Sequence, residues 1–166
     1  MTANRKEPSV GLSRNMRILS VEISVIAHAT EDPVKVSQAL RNVLPNSISD
    51  EAKVTTQYLQ GHHGNPIRIL KTNLKKRKMI DQFFNHLLTS LNSDDLKVVA
   101  ENVDTHMDED GNLYIRLNKQ AAYMGDLQSK QEDPIRIKIK LVHELGKGKP
   151  PTDLVKELIE SHEKVR

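Results

Sequence analysis

Seven histidines, no cysteine and a crowded run of lysines are what this 166-residue chain offers to chemistry. His62 and His63 sit side by side in Gly61-His62-His63-Gly64-Asn65-Pro66, a glycine-punctuated turn. A metal site needs three or four convergent ligands. The chain has no His-Glu-x-x-His segment and no cysteine, so no metal is expected, and histidines in an exposed basic turn more often bond phosphate or water. His28-Ala29-Thr30 has the His-x-Thr form that phosphodiester chemistry uses in pairs, one histidine as acid and one as base. The second copy is missing, because neither His106 nor His143 has a serine or threonine two residues on. The enzymatic alternative is therefore a phosphodiesterase using His28 with His62 or His63. Asp108-Glu109-Asp110 starts like a calcium loop, but strand-like apolar residues follow Gly111 and no closing glutamate comes. Phosphate-loop, dinucleotide and serine-nucleophile motifs are absent. No catalytic residue and no cofactor are assigned.

The stretch after the histidine turn is more telling. Arg68 and Lys71 lead into Lys75-Lys76-Arg77-Lys78, with no acidic residue between them. The periodicity starts a helix near Leu74, which puts those four cations in its first turn. Helix N-termini carry partial positive charge and favour acidic residues, so like charges there are unfavourable. Free N–H groups and cations at one spot also make a phosphate site. The bland alternative is a solvated lysine-rich face.

Composition narrows the class. Apolar residues are 37% and charged residues 28%, which suits one soluble globular domain with a real core. The absence of cysteine suits an intracellular protein, and the lack of a signal peptide or long apolar span points to the cytoplasm. A net charge of +3 weakly favours an anionic partner. Aromatic content of 3% argues against a base-stacking platform.

These residues need elements to hold them. Residues 1–15 read as a flexible basic tail. Met16 to Ala29 alternates as a long strand, and Asp32-Pro33 opens a helix that Pro45 ends. Asn46 to Glu51 reads as a polar loop. Lys53 to Gln60 and Ile67 to Lys71 form a hairpin around the histidine turn. Ile80, Phe83, Phe84, Leu87, Leu88 and Leu91 stripe a long helix from Leu74 to Leu91. Asn92 or Ser93 caps a short helix, Asp94 to Ala100. Asn102 to Met107 and Asn112 to Asn118 read as a second hairpin, joined by Asp108 to Gly111. Lys119 to Gly125 is a helical turn, and Ile135 to His143 a nearly perfect alternating strand. Gly146 to Pro151 reads as a linker, and Thr152 caps a last helix striped by Leu154, Val155, Leu158 and Ile159. The fold class is α+β: a mostly antiparallel sheet backed by helices on one face. The other face would carry Arg136, Lys138, Lys140 and Arg116. An outward cation row also protects a sheet edge from pairing.

His28-Ala-Thr-Glu31-Asp32, Gly61-His-His-Gly-Asn-Pro66 and Leu117-Asn-Lys119-Gln120-Ala121 with Gly125 resemble an archaeal family of predicted exosome subunits or RNA-binding proteins. The resemblance covers roughly residues 16–145, leaving the tail, the linker and the last helix (residues 146–166) outside. It implies a fold like that of large-subunit ribosomal protein number five, RNA as partner, and exosome or other RNA-processing subunits as further partners. The expected reading is a non-enzymatic module that takes structured RNA by phosphate and shape. Arg68, Lys71, Lys75, Lys76, Arg77 and Lys78 would meet phosphates. His62, His63 and Asn65 would add hydrogen bonds, and Arg116, Lys119, Arg136, Lys138 and Lys140 would extend the track. Two structural alternatives stay open: docking through the last helix, and a second copy pairing at a sheet edge.

Overall fold

Alternating apolar residues make Met16–Ala27 a strand, β1, and its buried side (Val21, Ile23, Val25, Ala27) anchors the sheet. The computed structural model describes residues 16–143 and 151–165. The expected basic tail and residues 146–150 of the expected linker lie outside the described residues. After β1 come α1 (Pro33–Val43), α2 (Asn46–Ser49), β2 (Val54–Gln60), β3 (Pro66–Leu74), α3 (Arg77–Ser90), α4 (Ser93–Glu101), α5 (Val103–His106), β4 (Asn112–Leu117), α6 (Lys119–Tyr123), β5 (Ile135–His143) and α7 (Pro151–Val165). The five strands form one antiparallel sheet in the order β2-β3-β1-β5-β4.

Register decides what each face carries, because directly paired residues share a face and neighbours along a strand alternate. Val21 pairs with Leu74 and Ile139, Ile23 with Thr72 and Ile137, and Leu113, Ile115 and Leu117 of β4 complete the layer. The helices cover this face. The stripe Ile80, Phe83, Phe84, Leu87 and Leu88 of α3 is buried, as are Val36, Ala39, Leu40 and Val43 of α1. Each fully buried large side chain contributes about 1.5–3 kcal/mol by leaving water. α1 starts as its sequence demands: the Asp32 carboxylate accepts from the Val34 N–H at 2.9 Å, and Pro33 occupies the first turn.

Four expectations change. Asn102 to Met107 is not a strand. Asn102 closes α4 by donating its backbone N–H and its Nδ2 to Val98 O, and its own carbonyl then accepts from Thr105 and His106 to start α5. Val103 is fully buried there. One buried valine in a helical turn and one strand bridge, Met107 to Leu113, together imitate the alternation of a strand. Asn46 to Glu51 holds the one-turn helix α2, which buries Ile48. Strand β3 runs on to Leu74, because Thr72 and Leu74 keep facing the core, so α3 begins three residues later than its stripe suggested. The last helix starts at Pro151, which puts Thr152 inside its first turn.

The turn before β4 keeps its expected shape. Gly111 has φ +82°, and a Cβ there would meet Leu141 O at 3.0 Å. Asp108 organises the turn: hydrogen bonds from the Asn112 side chain and backbone, then from Tyr114 and Asp110, hold its carboxyl down at about 2 against the upward push of burial.

α7 rests on α4 and α5, with Val155, Leu158 and Ile159 buried in the common core. Lys156 Nζ donates to Asp104 of α5 at 2.7 Å. Val155, Leu158 and Ile159 of the helix that was to dock a partner are therefore used inside the molecule. Ile159→Ala should cost about 3 kcal/mol, read as a drop in the urea midpoint. An unchanged midpoint would mean that α7 leaves the core in solution.

Candidate nucleic-acid interface

The face of the sheet away from the helices collects the cations. Arg116 pairs with Arg136, Arg136 with Ser24, Ser24 with Lys71, and Lys71 with Thr55, a row that crosses all five strands. The next row holds Tyr114, Lys138, Glu22 and Asn73, and a third holds Asn112, Lys140 and Ser20. Among the strand residues with described side chains this face carries five cations (Lys71, Arg116, Arg136, Lys138, Lys140) and one carboxylate, Glu22, and a second carboxylate, Asp108, reaches it from the turn before β4 to accept from Asn112 and Tyr114. Glu22 offsets little, with its nearest approach to Lys71 at 3.8 Å. Arg116 directly opposite Arg136 is unfavourable for a bare sheet. β5 also lies inside the sheet, between β1 and β4. Its cations are therefore not guarding an edge, and protection from edge pairing does not explain them.

Two other expected groups flank this face. The histidine hairpin caps one end of β3. A 3₁₀ turn, His62–Gly64, closes it, with Gly61 N–H donating to Asn65 O at 2.7 Å and His63 at φ 64°. The two imidazoles are exposed, 5.8 Å apart between centroids. Lys75 to Lys78 lie at the other end of β3. The strand has nine residues, so about 26 Å of strand separates the hairpin from the basic run. The two groups lie at opposite ends of β3 and do not converge on one point. Lys76 is the N-cap of α3 and makes no side-chain capping bond, so Arg77 and Lys78 alone lie in the first turn, with no acidic residue beside them. Arg77 reaches Asp81 only at 3.9 Å.

Arg68 and Lys119 depart from the expected track. Arg68 pairs with Ala27 and Tyr58 on the helix-side face, near the hairpin. Lys119 is 8% exposed. Its ammonium donates to Ile26 O at 2.8 Å, to both Glu31 oxygens at 3.1 and 3.2 Å, and to Asp133 Oδ2 at 2.9 Å. A buried lysine saturated by oxygens has no donor left for RNA, so Lys119 leaves the track. His28 joins the same cluster, with Nε2 at 2.9 Å from Asp133 Oδ1. His28, Glu31 and Asp133 offer ligand atoms within 4.8 Å of one another, but the positive charge among them is that of Lys119. Burial pushes the Asp133 carboxyl up, yet the hydrogen bonds from His28 and Lys119 and their charges outweigh it and hold it below its ordinary value.

The paired histidines of the enzymatic alternative do not line a common groove beside His28. The groove that His28 lines takes Pro66 and Arg68 from the hairpin, and neither His62 nor His63 lines it. Tyr114 was not singled out in the sequence, yet it lies on the open face with the Arg136 guanidinium 4.5 Å from its ring centroid. The register of β4 against β5 carries that information, and no short motif does.

Lys119→Ala strands two carboxylates that are partly screened by water, so it should cost about 2 kcal/mol, less than a fully buried pair. A lowered Asp133 value gives stability that is present above the unfolded carboxyl's pKa of about 3.9 and is lost as pH falls through the folded value. The gap between wild type and variant should therefore narrow as pH is lowered from 7 toward 3, measured by urea unfolding at each pH. A gap independent of pH would remove the ionic account.

Residues 20–141 match a family described as RNA binding. An RNA-binding protein of Pyrococcus abyssi is 36% identical over 124 residues, which span 74% of this chain and 80% of that protein. A protein of Methanocaldococcus jannaschii is 34% identical over 119 residues, 70% of this chain and 78% of its own. The crystal structure of a protein from Archaeoglobus fulgidus is similar with a TM-score of 0.73 at 30% identity, covering 88% of this chain and 99% of that one. With the family spanning every strand of the sheet from residue 20 onward and relatives of this closeness, the chain belongs to the RNA-binding family.

Proposed function

We propose that this chain binds structured RNA through its open sheet face, holding it by phosphate and shape and not turning it over. The observation that carries the reading is the charge of that face: five cations against two carboxylates, Glu22 and the turn residue Asp108, on strands that include the interior of the sheet. The family and the Pyrococcus abyssi relative support RNA as the polyanion. Lys71, Arg116, Arg136, Lys138 and Lys140 meet phosphates across the sheet. Lys75, Lys76, Arg77 and Lys78 extend the surface at one end of β3. His62, His63 and Asn65 extend it at the other, with neutral or weakly basic donors.

Phosphate contacts position a nucleic acid without reading sequence, so preference among sequences is weak. From the family resemblance we extend the proposal to RNA processing in the cytoplasm, beside exosome or related subunits. No helix among the described residues is long and apolar enough to cross a membrane. β2 is one of the two edge strands and six of its seven residues are exposed, so a second copy pairing there would compete with RNA for that edge.

The test is a titration against a duplex RNA at several salt concentrations. With six to eight phosphates neutralised, affinity should fall roughly 10³-fold or more between 50 and 200 mM salt. Changing Lys75, Lys76, Arg77 and Lys78 together to Gln should flatten the log–log salt slope by about three units. Replacing Lys71, Arg136 and Lys138 by Gln should flatten it by about two to three units. A wild-type slope near zero would overturn the proposal, and a slope unchanged in one variant would remove that group from the surface.

A further inference from the structure

One cleft lies on the side of the sheet away from the cation rows. Val34, Ser37, Gln38 and Arg41 fall at i, i+3, i+4 and i+7 of α1, so they share one flank of that helix. The flank faces the helix-side surface of the β2–β3 hairpin, where Tyr58 is paired with Arg68. Between them is a cleft of about 310 Å³, with Thr56 and Leu70 completing the hairpin wall. Its lining holds two arginines, one open aromatic ring and several neutral hydrogen-bonding groups, and no acidic residue. Asp32, next in the chain, is committed to capping α1.

Its two charged groups are free to bind. Arg41 Nη1 donates to Ser49 O at 3.0 Å, which leaves the rest of its donor fork unused by that bond. Among the described residues no carboxylate pairs with Arg41 or Arg68. The Arg68 guanidinium lies 5.3 Å from the Tyr58 ring centroid, and Tyr58 is still 71% exposed. Val34 at the mouth is 74% exposed. A large apolar side chain and a tyrosine ring are thus held open to water beside two unpaired guanidinium groups.

We propose that this cleft takes one unpaired nucleotide of the bound RNA. The base stacks on the Tyr58 ring, the phosphate is held by Arg68 and Arg41, and the base edge meets Ser37 and the Oε1 of Gln38, whose Nε2 donates to Asn42 Oδ1 at 2.7 Å. Every base has a stacking face, so the pocket accepts an unpaired nucleotide with little regard to its identity. β2 is the edge strand beside the cleft, so a strand leaving the open face needs to round only that edge to reach it. The inference rests on the RNA-binding proposal and deepens it: the preferred ligand is a helix interrupted by a bulge or ending in a single strand.

The experiment uses two RNA hairpins of equal stem, one uninterrupted and one with a single unpaired nucleotide replaced by 2-aminopurine. The protein variants are Tyr58→Leu, which keeps a bulky apolar residue on an exposed strand position, and Val34→Glu. The second places a carboxylate at the cleft mouth and in the first turn of α1, where helix electrostatics favours it. Wild type should bind the bulged RNA about tenfold tighter than the uninterrupted one, and both variants should lose that preference while keeping stem affinity within about twofold. The 2-aminopurine emission should drop on binding wild type and stay unchanged with Tyr58→Leu. Equal wild-type affinity for both RNAs overturns the cleft assignment alone, as does a variant that weakens both RNAs by one factor. Failure of wild type to bind either RNA overturns the RNA-binding proposal and this inference with it.

Discussion

Four oxygens surround the Lys119 ammonium, and they arrive from three places in the chain: the end of β1, the turn before α1 and the entry to β5. Lys119 itself opens α6, whose first N–H groups are held by Asn118 Oδ1. One side chain therefore fixes the end of the sheet where β1 and β4 finish and β3 and β5 begin. Taking an ammonium out of water is costly unless its donors are satisfied. Here two carboxylates and a carbonyl satisfy them. The groove beside His28 and the α1 flank of the proposed cleft both hang on this junction, since α1 leaves it directly.

The second constraint is register. A one-residue slip of β5 would send Arg136, Lys138 and Lys140 into the core and Ile135, Ile137 and Ile139 into water. Burial of those isoleucines, each at 0% exposure, therefore fixes the cation rows as firmly as it fixes the core. The same logic places Arg68 on the helix side, two residues before buried Leu70 and three before Lys71 on the open side. Packing of one face thus writes the electrostatics of the other. The geometry of the proposed surface needs no dedicated loop or motif to hold it.

That dependence explains what the sequence disclosed. Strong period-2 and period-3.6 patterns located β1, β5, α1, α3 and α4, because their burial is one-sided, while β2, with six of seven residues exposed, was located by its β-branched residues. Strand pairing is not local, so neither the adjacency of Arg116 and Arg136 nor the interior position of β5 could be read from it. Asn102 to Met107 misled because a single buried valine between polar residues fits a strand and a helical turn equally. Lys119 misled for a chemical reason: a lysine at the head of a helical turn reads as solvated, and its partners Glu31 and Asp133 lie 88 and 14 residues away. The recurring segments around His28, Gly61 and Lys119 pointed to the right family. The motifs around His28 and Lys119 meet in that ionic junction, so part of what makes the family recognisable holds the fold together.

Aromatic scarcity carries a related lesson. Three tyrosines and two phenylalanines make a poor stacking platform by count. By position the two types divide cleanly. Both phenylalanines are buried in the stripe of α3. Each tyrosine reaches the surface with a cation near its ring: Arg68 at Tyr58, Arg136 at Tyr114, and Lys35 at Tyr123, at 5.3, 4.5 and 6.0 Å. Such pairs add about 0.5–1 kcal/mol at exposed sites, too little to be the reason a chain would spend all its tyrosines on them. A ring and a guanidinium together also present a planar stacking surface beside a phosphate donor, the two things a nucleotide offers to meet. Tyr114 places that combination on the open face, inside the cation rows. Tyr58 places it across the β2 edge, in the cleft proposed for a single unpaired base.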